Sequence, residues 1–299
     1  LVSPPLPRPL PQGEREQYRP LNALWVTDME FTQILTIAAK EFRDRMRNRW
    51  VLAVALVFTV FSLAITYFGG AQQGTVGLRS IEFTIASLVS LVIYLIPLIA
   101  LLLGFDAIVG ERERGSLDLL LSLPLTRLEL LLGKYLGLAG ALTVSTLAGF
   151  ALVAVLLYRQ FGWGGLFHYG GFMASAVLLG LAFLSLALLL SVLVRERTRA
   201  SGLAIAAWFF FVLVFDLLLL GALVATGGSH GGEAMAYLLL LNPADVFRIL
   251  NVFSLEDVRT LYGLTSIVPP ALAKPWLMGA VMGGWIVVPL ALAGWRFKP

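Results

Sequence analysis

The chain has no cysteine in its 299 residues and only two histidines, His168 and His230. Disulfides, thiolate metal sites and cysteine nucleophiles are therefore excluded, and so is a histidine-rich metal centre. Charge is scarce as well: 13% of residues are Asp, Glu, Lys or Arg, where a soluble domain carries about 25%. No G-x-x-x-x-G-K-[ST] occurs, so the chain has no cradle for ATP phosphates; Gly133-Lys134 lacks the first glycine and the following Ser or Thr. H-E-x-x-H, G-x-S-x-G and usefully spaced carboxylate pairs are missing too. These absences argue against catalysis by the chain itself, and predict neither cofactor nor metal bound to it. A net charge of +4 makes no case for nucleic acid.

Apolar sequence fills the remainder. Hydrophobic residues are 59% of the chain and the mean hydropathy is +0.86. Runs near 20 residues recur, and the fold class they predict is an all-α polytopic membrane protein. Six spans are expected near 50–68, 83–108, 135–158, 170–194, 200–225 and 276–295, the second carrying Pro97 and hence a kink or tilt. Lysine and arginine fall unevenly around them. Fourteen lie in 40–49, 110–134, 195–199 and after Trp295, against five on the other side: Arg79, Arg159, Arg248, Arg259 and Lys274. The positive-inside rule then puts both termini in the cytoplasm. Trp50, Trp163, Trp276 and Trp295 fall at the expected interfaces, as an aromatic belt would.

Residues 1–28 hold six of the fourteen prolines and no apolar period. They read as a disordered, proline-rich extension ahead of a start at Met29, with a six-span domain over 29–299. From Glu30 to Arg49 an amphipathic helix is expected, with Phe31, Ile34, Leu35, Ala38, Phe42 and Met46 on its apolar face. It suits either the membrane interface or a partner surface. The long outer loop over 226–275 carries two helix starts. Asn242 is placed as an N-cap with Pro243 at the first helical position, and Ser254-x-x-Asp257 resembles a capping box closed by Gly263. Short or re-entrant helices are predicted there.

The segment from Gly110 to Lys134, GERERGSLDLLLSLPLTRLELLLGK, is too amphipathic to span. Ser116 and Asp118 stand where helix donors want oxygen acceptors. Leu117, Leu120 and Leu121 form an apolar stripe, Pro124 stops the helix, and Thr126-x-x-Glu129 is a capping box for the next. The charges Glu111, Arg112, Glu113 and Arg114 either mark a solvated membrane boundary or form the charged tip of a rigid lever for a cytoplasmic partner.

Here the chain resembles the ABC-2 type transporter permeases, whose pattern is E-R-E-x-G-[ST]-L-x-x-L-L-S-x-P-x-[ST]-R-x-x-x-x-x-G-K. The matching residues are Glu111, Arg112, Glu113, Gly115, Ser116, Leu117, Leu120, Leu121, Ser122, Pro124, Thr126, Arg127, Gly133 and Lys134. The resemblance covers about Met29 to Pro299. It implies a type V exporter-like fold and a homodimer of permeases. It also implies a pair of cytoplasmic ATPase subunits that hold the ATP and magnesium. The outer segment Leu241-Asn242-Pro243-Ala244-Asp245-Val246-Phe247-Arg248, followed by Ser254-Leu255-Glu256-Asp257, is similar to the branch serving nitrous oxide reductase maturation. That likeness implies a NosF-like ATPase, a periplasmic NosD-like partner, and copper or sulfur supply.

Two acids fall within predicted spans. Asp216 is set either for function or for a hydrogen bond to a neighbouring helix, since a lone charge there costs roughly 2.5–3.5 kcal/mol. Asp106 is expected in an interfacial ion pair with the Glu-Arg-Glu-Arg run. Met278 and Met282 share a face, which suits core packing better than Cu(I). Gly133-x-x-x-Gly137 and Gly279-x-x-x-Gly283 allow close helix contact within the chain or across a dimer. Competing readings are an exporter of drugs, lipids or glycans, and a membrane anchor or receptor without transport; an intramembrane enzyme lacks any catalytic constellation.

Overall fold

The computed structural model describes residues 30–47, 49–68, 81–225, 237–253 and 274–297. The expectations for residues 1–28, for Arg79, His230 and Arg259, and for Ser254-x-x-Asp257 with Gly263 lie outside them, as does the side chain of Trp50. Within the described residues the chain is helical, in the order α1 Phe31–Arg47, α2 Arg49–Phe68, α3 Ile81–Gly104, α4 Val109–Glu113, α5 Ser116–Ser122 and α6 Arg127–Leu193. There follow α7 Arg197–Phe209, a π-helical turn Phe210–Val214 and α8 Phe215–Ala225. After a 3-10 turn at Leu239–Leu241 come α9 Pro243–Arg248 and a second π turn at Ile249–Phe253, and α10 Pro275–Arg296 closes the series.

Helix α6 organises the molecule. Its 67 residues would reach about 100 Å if straight, over three times the hydrocarbon thickness. It does not run straight. Gly162 takes φ 68° and ψ −154°, a conformation that costs glycine little and other residues much, and the two arms fold back on each other. The Tyr135 hydroxyl donates to the Leu181 carbonyl at 3.3 Å. Nearer the hinge, the Phe150 ring sits 5.5 Å from Phe172 and 6.3 Å from Tyr169. The separate segments expected at 135–158 and 170–194 are thus two arms of one helical hairpin. The stretch 159–169 between them is helical apart from its single hinge.

Helices α1, α2, α3 and α10 pack around this hairpin. Four helical stretches among the described residues are long and apolar enough to cross a membrane: Phe83–Glu113, Arg127–Leu193, Arg197–Ala225 and Pro275–Arg296. The apolar part of α2, Ala53–Phe68, is shorter. The core runs along the hairpin through Phe58, Leu88, Ile96, Leu101, Phe150, Phe172 and Phe183. In contrast, α7–α8 and α10 turn most of their apolar surface outward, including Leu217, Leu218, Leu220, Val287 and Val288.

The packing bears on two expectations. Helix α1 docks on α6 through Ile34, Ile37, Ala38, Glu41 and Phe42. Its expected apolar face is split, because Phe31 and Leu35 stay exposed. The close approach is made at Gly133 and Gly137. A Cβ at the first would lie 2.7 Å from the Ile37 Cβ, and one at the second 2.6 Å from the Ala38 carbonyl oxygen. This glycine pair is therefore used inside the chain, whereas Gly279 and Gly283 have nothing within 4 Å to meet a Cβ.

Candidate functional site

Two polar constellations stand out, one at each end of the α6 arms. The first is the base of the α4–α5 hairpin. After α3 ends at Gly104, a turn places the first amide donors of α4 against the second arm of α6: Ile108 N and Val109 N both donate to Ser191 Oγ at 3.0 Å. Open helix donors are thereby satisfied from another helix. Arg112 Nη1 donates to the Val194 carbonyl at 2.7 Å, and Glu113 Oε1 accepts from Arg197 N at 2.6 Å. The hairpin base is fastened to the end of α6 and the start of α7.

A second set of ties leads to α1. Lys134, only 4% exposed, lies 3.1 Å from Glu111 and 3.4 Å from Glu41, and Arg45 reaches Glu41 at 3.1 Å. These groups, with Asp106, line a polar recess of about 310 Å³. Ser116 Oγ donates to the Glu111 carboxylate. Burial alone would raise the Glu111 carboxyl, but the Ser116 hydroxyl and the Lys134 ammonium outweigh it and hold the group below its usual value. Burial, then the neighbouring Arg195 guanidinium, push Arg112 below its ordinary value.

The capping box forms as its sequence predicts. Thr126 Oγ1 accepts from Glu129 N at 3.2 Å, and Glu129 Oε2 accepts from Thr126 N at 2.7 Å. Glu129 also accepts from Glu30 N at 2.8 Å, so one buried carboxylate starts α6 and fixes the start of α1. Burial would raise this acid too; the Thr126 amide and hydroxyl outweigh it and lower it instead.

Several expectations change at this end. Ser116 is not an N-cap: Gly115, with φ 70°, holds that position without a side-chain cap, and Ser116 points back to Glu111. Asp106 forms the expected ion pair, with Arg197 at 2.9 Å as the partner in place of the Glu-Arg-Glu-Arg run. That run forms the base of the hairpin, not its tip. The outer surface of the hairpin is apolar and polar mixed: Leu117 faces the core at 6% exposure, while Leu119 is 72% exposed, followed by exposed Ser122, Leu123 and Pro124. Sequence reasoning overlooked Lys134, Glu41 and Ser191 as organisers. The available signal was Lys134 itself, a single cation opening an apolar run and hence in need of a buried anion.

The second constellation lies toward the hinge end. Asn242 caps α9, its Oδ1 accepting from Ala244 N at 3.0 Å, with Pro243 following as expected. Its Nδ2 donates to the Phe211 carbonyl at 2.8 Å and to Asp245 Oδ2 at 2.9 Å. Phe211 lies in the π turn that interrupts the α7–α8 run, where a displaced carbonyl is free to accept. Arg248 bridges Asp245 and Asp216, the latter at 3.0 Å. The intramembrane acid and the outer segment, read separately in the sequence, are one network. Phe247 is buried against Phe172, ring centroids 6.0 Å apart, and Asn251 Nδ2 donates to Ser175 Oγ at 2.9 Å. Helix α9 thus packs inside the bundle.

Met278 and Met282 are buried in the apolar core, and His168 is exposed. Among the described residues no group of three or more His, Cys, Asp or Glu side chains is placed to hold a metal ion.

Residues 35–299 match the family described as ABC-2 family transporter protein. The chain is 46% identical over 268 residues to the probable ABC transporter permease protein NosY of Stutzerimonas stutzeri, covering 87% of this chain and 96% of that protein. It is 45% identical over 271 residues to its namesake from Pseudomonas aeruginosa, covering 89% and 98%. With the α4–α5 hairpin and the apolar bundle, these matches establish that the chain belongs to the ABC-2 transporter family and is the permease subunit of an ABC transporter.

Proposed function

We propose that this permease converts ATP hydrolysis by a cytoplasmic partner into movement of a six-span bundle in the bacterial inner membrane, in support of nitrous oxide reductase maturation. Six spans follow if α2, α3, the two arms of α6, α7–α8 and α10 each cross once, which returns both termini to the cytoplasm. The working unit is a homodimer. It carries a pair of NosF-like ATPases, which bind the ATP and magnesium, and a periplasmic NosD-like protein. The NosY name of its relatives supports a role in supplying copper or sulfur to the reductase. The sequence offers no dense path of soft ligands across the spans, which favours a sulfur species, or transmitted motion, over stepwise passage of free copper.

The observation that carries this reading is the hairpin. Its base is held by Ser191, Lys134 and Arg197, while Leu119 and Leu123 are presented outward. Exposed leucines on an immobilised polar element suit insertion into a groove of a partner. When the ATPases close, the hairpin moves with them and the arms repack as a two-state shift. Asp216, Arg248 and Asp245 fasten the outer segment to the α7–α8 run, so repacking at that π turn reaches the periplasmic face.

Reversing Glu111 and Glu113 (E111K/E113K) is expected to weaken ATPase co-purification or to uncouple ATP hydrolysis from reductase maturation. Intact co-purification with normal maturation would sink the coupling role. Asp216→Asn tests the outer network: normal maturation in that variant reduces the Asp216–Arg248 pair to packing.

A further inference from the structure

A second charged recess lies apart from the one around Lys134. A cleft of about 660 Å³ opens between α5, the start and end of α6, and the end of α10, and four arginines line it: Arg112, Arg127, Arg195 and Arg296. Asp118 is its single acid, and Leu117 and Leu121 supply an apolar wall. None of the four guanidiniums is paired with a carboxylate among the described residues. Arg112 spends donors on the Val192 and Val194 carbonyls, and Arg296 lies over the Trp295 ring, 4.9 Å from its centroid.

Three features say what would neutralise this charge. Arg127 occupies the first turn of α6, where the helix dipole disfavours a cation unless an anion is close. Arg195 follows the end of α6 and Arg296 is the last residue of α10, beside the exposed Trp295, which puts the cleft at the depth of lipid headgroups. The guanidinium forks match phosphate oxygens, and the leucine wall and exposed Leu193 suit the acyl chains below them. Basic pockets between helices on the cytoplasmic side hold anionic headgroups by this combination.

We propose that the arginine cleft is a binding site for the phosphate headgroup of an anionic phospholipid of the inner leaflet. The placement in that leaflet rests on the orientation given above. The lipid wedges beneath the α4–α5 hairpin and links it to the ends of α6 and α10 that line the same cleft.

The test uses the full chain in neutral detergent, with dioleoyl phosphatidylglycerol, dioleoyl phosphatidylcholine or inorganic phosphate titrated in. Melting shift and native mass spectrometry are the readouts. Phosphatidylglycerol is expected to raise the melting temperature and to remain bound, and phosphatidylcholine to do neither. R195Q/R296Q should weaken the phosphatidylglycerol response about tenfold or more, at roughly one lipid-attracting charge each, and R195K/R296K should keep most of it. If the double glutamine variant does not purify, R195Q alone carries the same comparison.

Equal phosphatidylglycerol affinity in the wild type and the glutamine variant overturns the site. A saturating shift from inorganic phosphate in the low millimolar range assigns it to a soluble anion and overturns the lipid. Loss of the ATPase from R195Q/R296Q with lipid retention unchanged makes the cleft a surface for an acidic protein, which also overturns the proposal. These readouts do not depend on ATP coupling, so they stand apart from a failure of E111K/E113K.

Discussion

A single ammonium group joins three segments that lie far apart in the chain. Lys134 is buried between Glu41 and Glu111, 93 and 23 residues away. Removing one partner from a buried ion pair leaves an uncompensated charge and costs about 3–5 kcal/mol. Lys134→Met is therefore expected to lower the melting temperature of the purified chain clearly, while Lys40→Met, at the exposed pair with Asp44, should leave it nearly unchanged. The sign of the pH effect follows from Glu111. Its folded carboxyl is held below the ordinary value of 4.5, so its contribution is present above that value and disappears as pH falls through the folded one. Hairpin attachment, followed by proteolysis, should stay constant from neutral pH to about pH 5 and weaken only in stronger acid. Of these residues the sequence revealed identities but not partners, because pairing across 93 positions leaves no local pattern. The Thr126–Glu129 box and the Asn242–Pro243 start were legible because every participating group lies within a single turn.

Elements repeat this division between local and distant information. Pro124 and the capping box end α5 and begin α6 where the sequence places them. The hairpin was legible as a shape, yet its polarity was not. A run of alternating charges looks like a tip when read linearly, and only packing against Ser191 and Arg197 makes it a base. Leu119→Ser should reduce ATPase co-purification without changing the melting temperature, because Leu119 is exposed and touches no core. Leu117→Ser removes a buried side chain and should lower both. The stretch 159–169 falls between two predicted spans; the structure keeps it helical because Gly162 alone absorbs the reversal.

The whole molecule has a hairpin end and a hinge end, and the chain's lack of cysteine makes that polarity easy to measure. Single cysteines at Ser122 and Phe167, both exposed, should respond oppositely to a membrane-impermeant maleimide. In intact spheroplasts Phe167→Cys is expected to react and Ser122→Cys to react only after permeabilisation; the reverse pattern would invert the topology. Overall helical content and most apolar segments were legible from composition and run length. The outward-facing α7–α8 and α10 surfaces were not, since lipid, a second copy and a protein core all accept the same leucines.

From Arg127 to Gly162 the first arm of α6 is about 50 Å of unbroken helix. It begins at the turn that Thr126 and Glu129 fix, so no slack intervenes between that turn and the far tip. A tilt of about 5° at one end displaces the other by roughly 4 Å over this length, more than the reach of a hydrogen bond. A small rotation imposed at the hairpin end is thus enough to make or break contacts at the hinge end of the same arm.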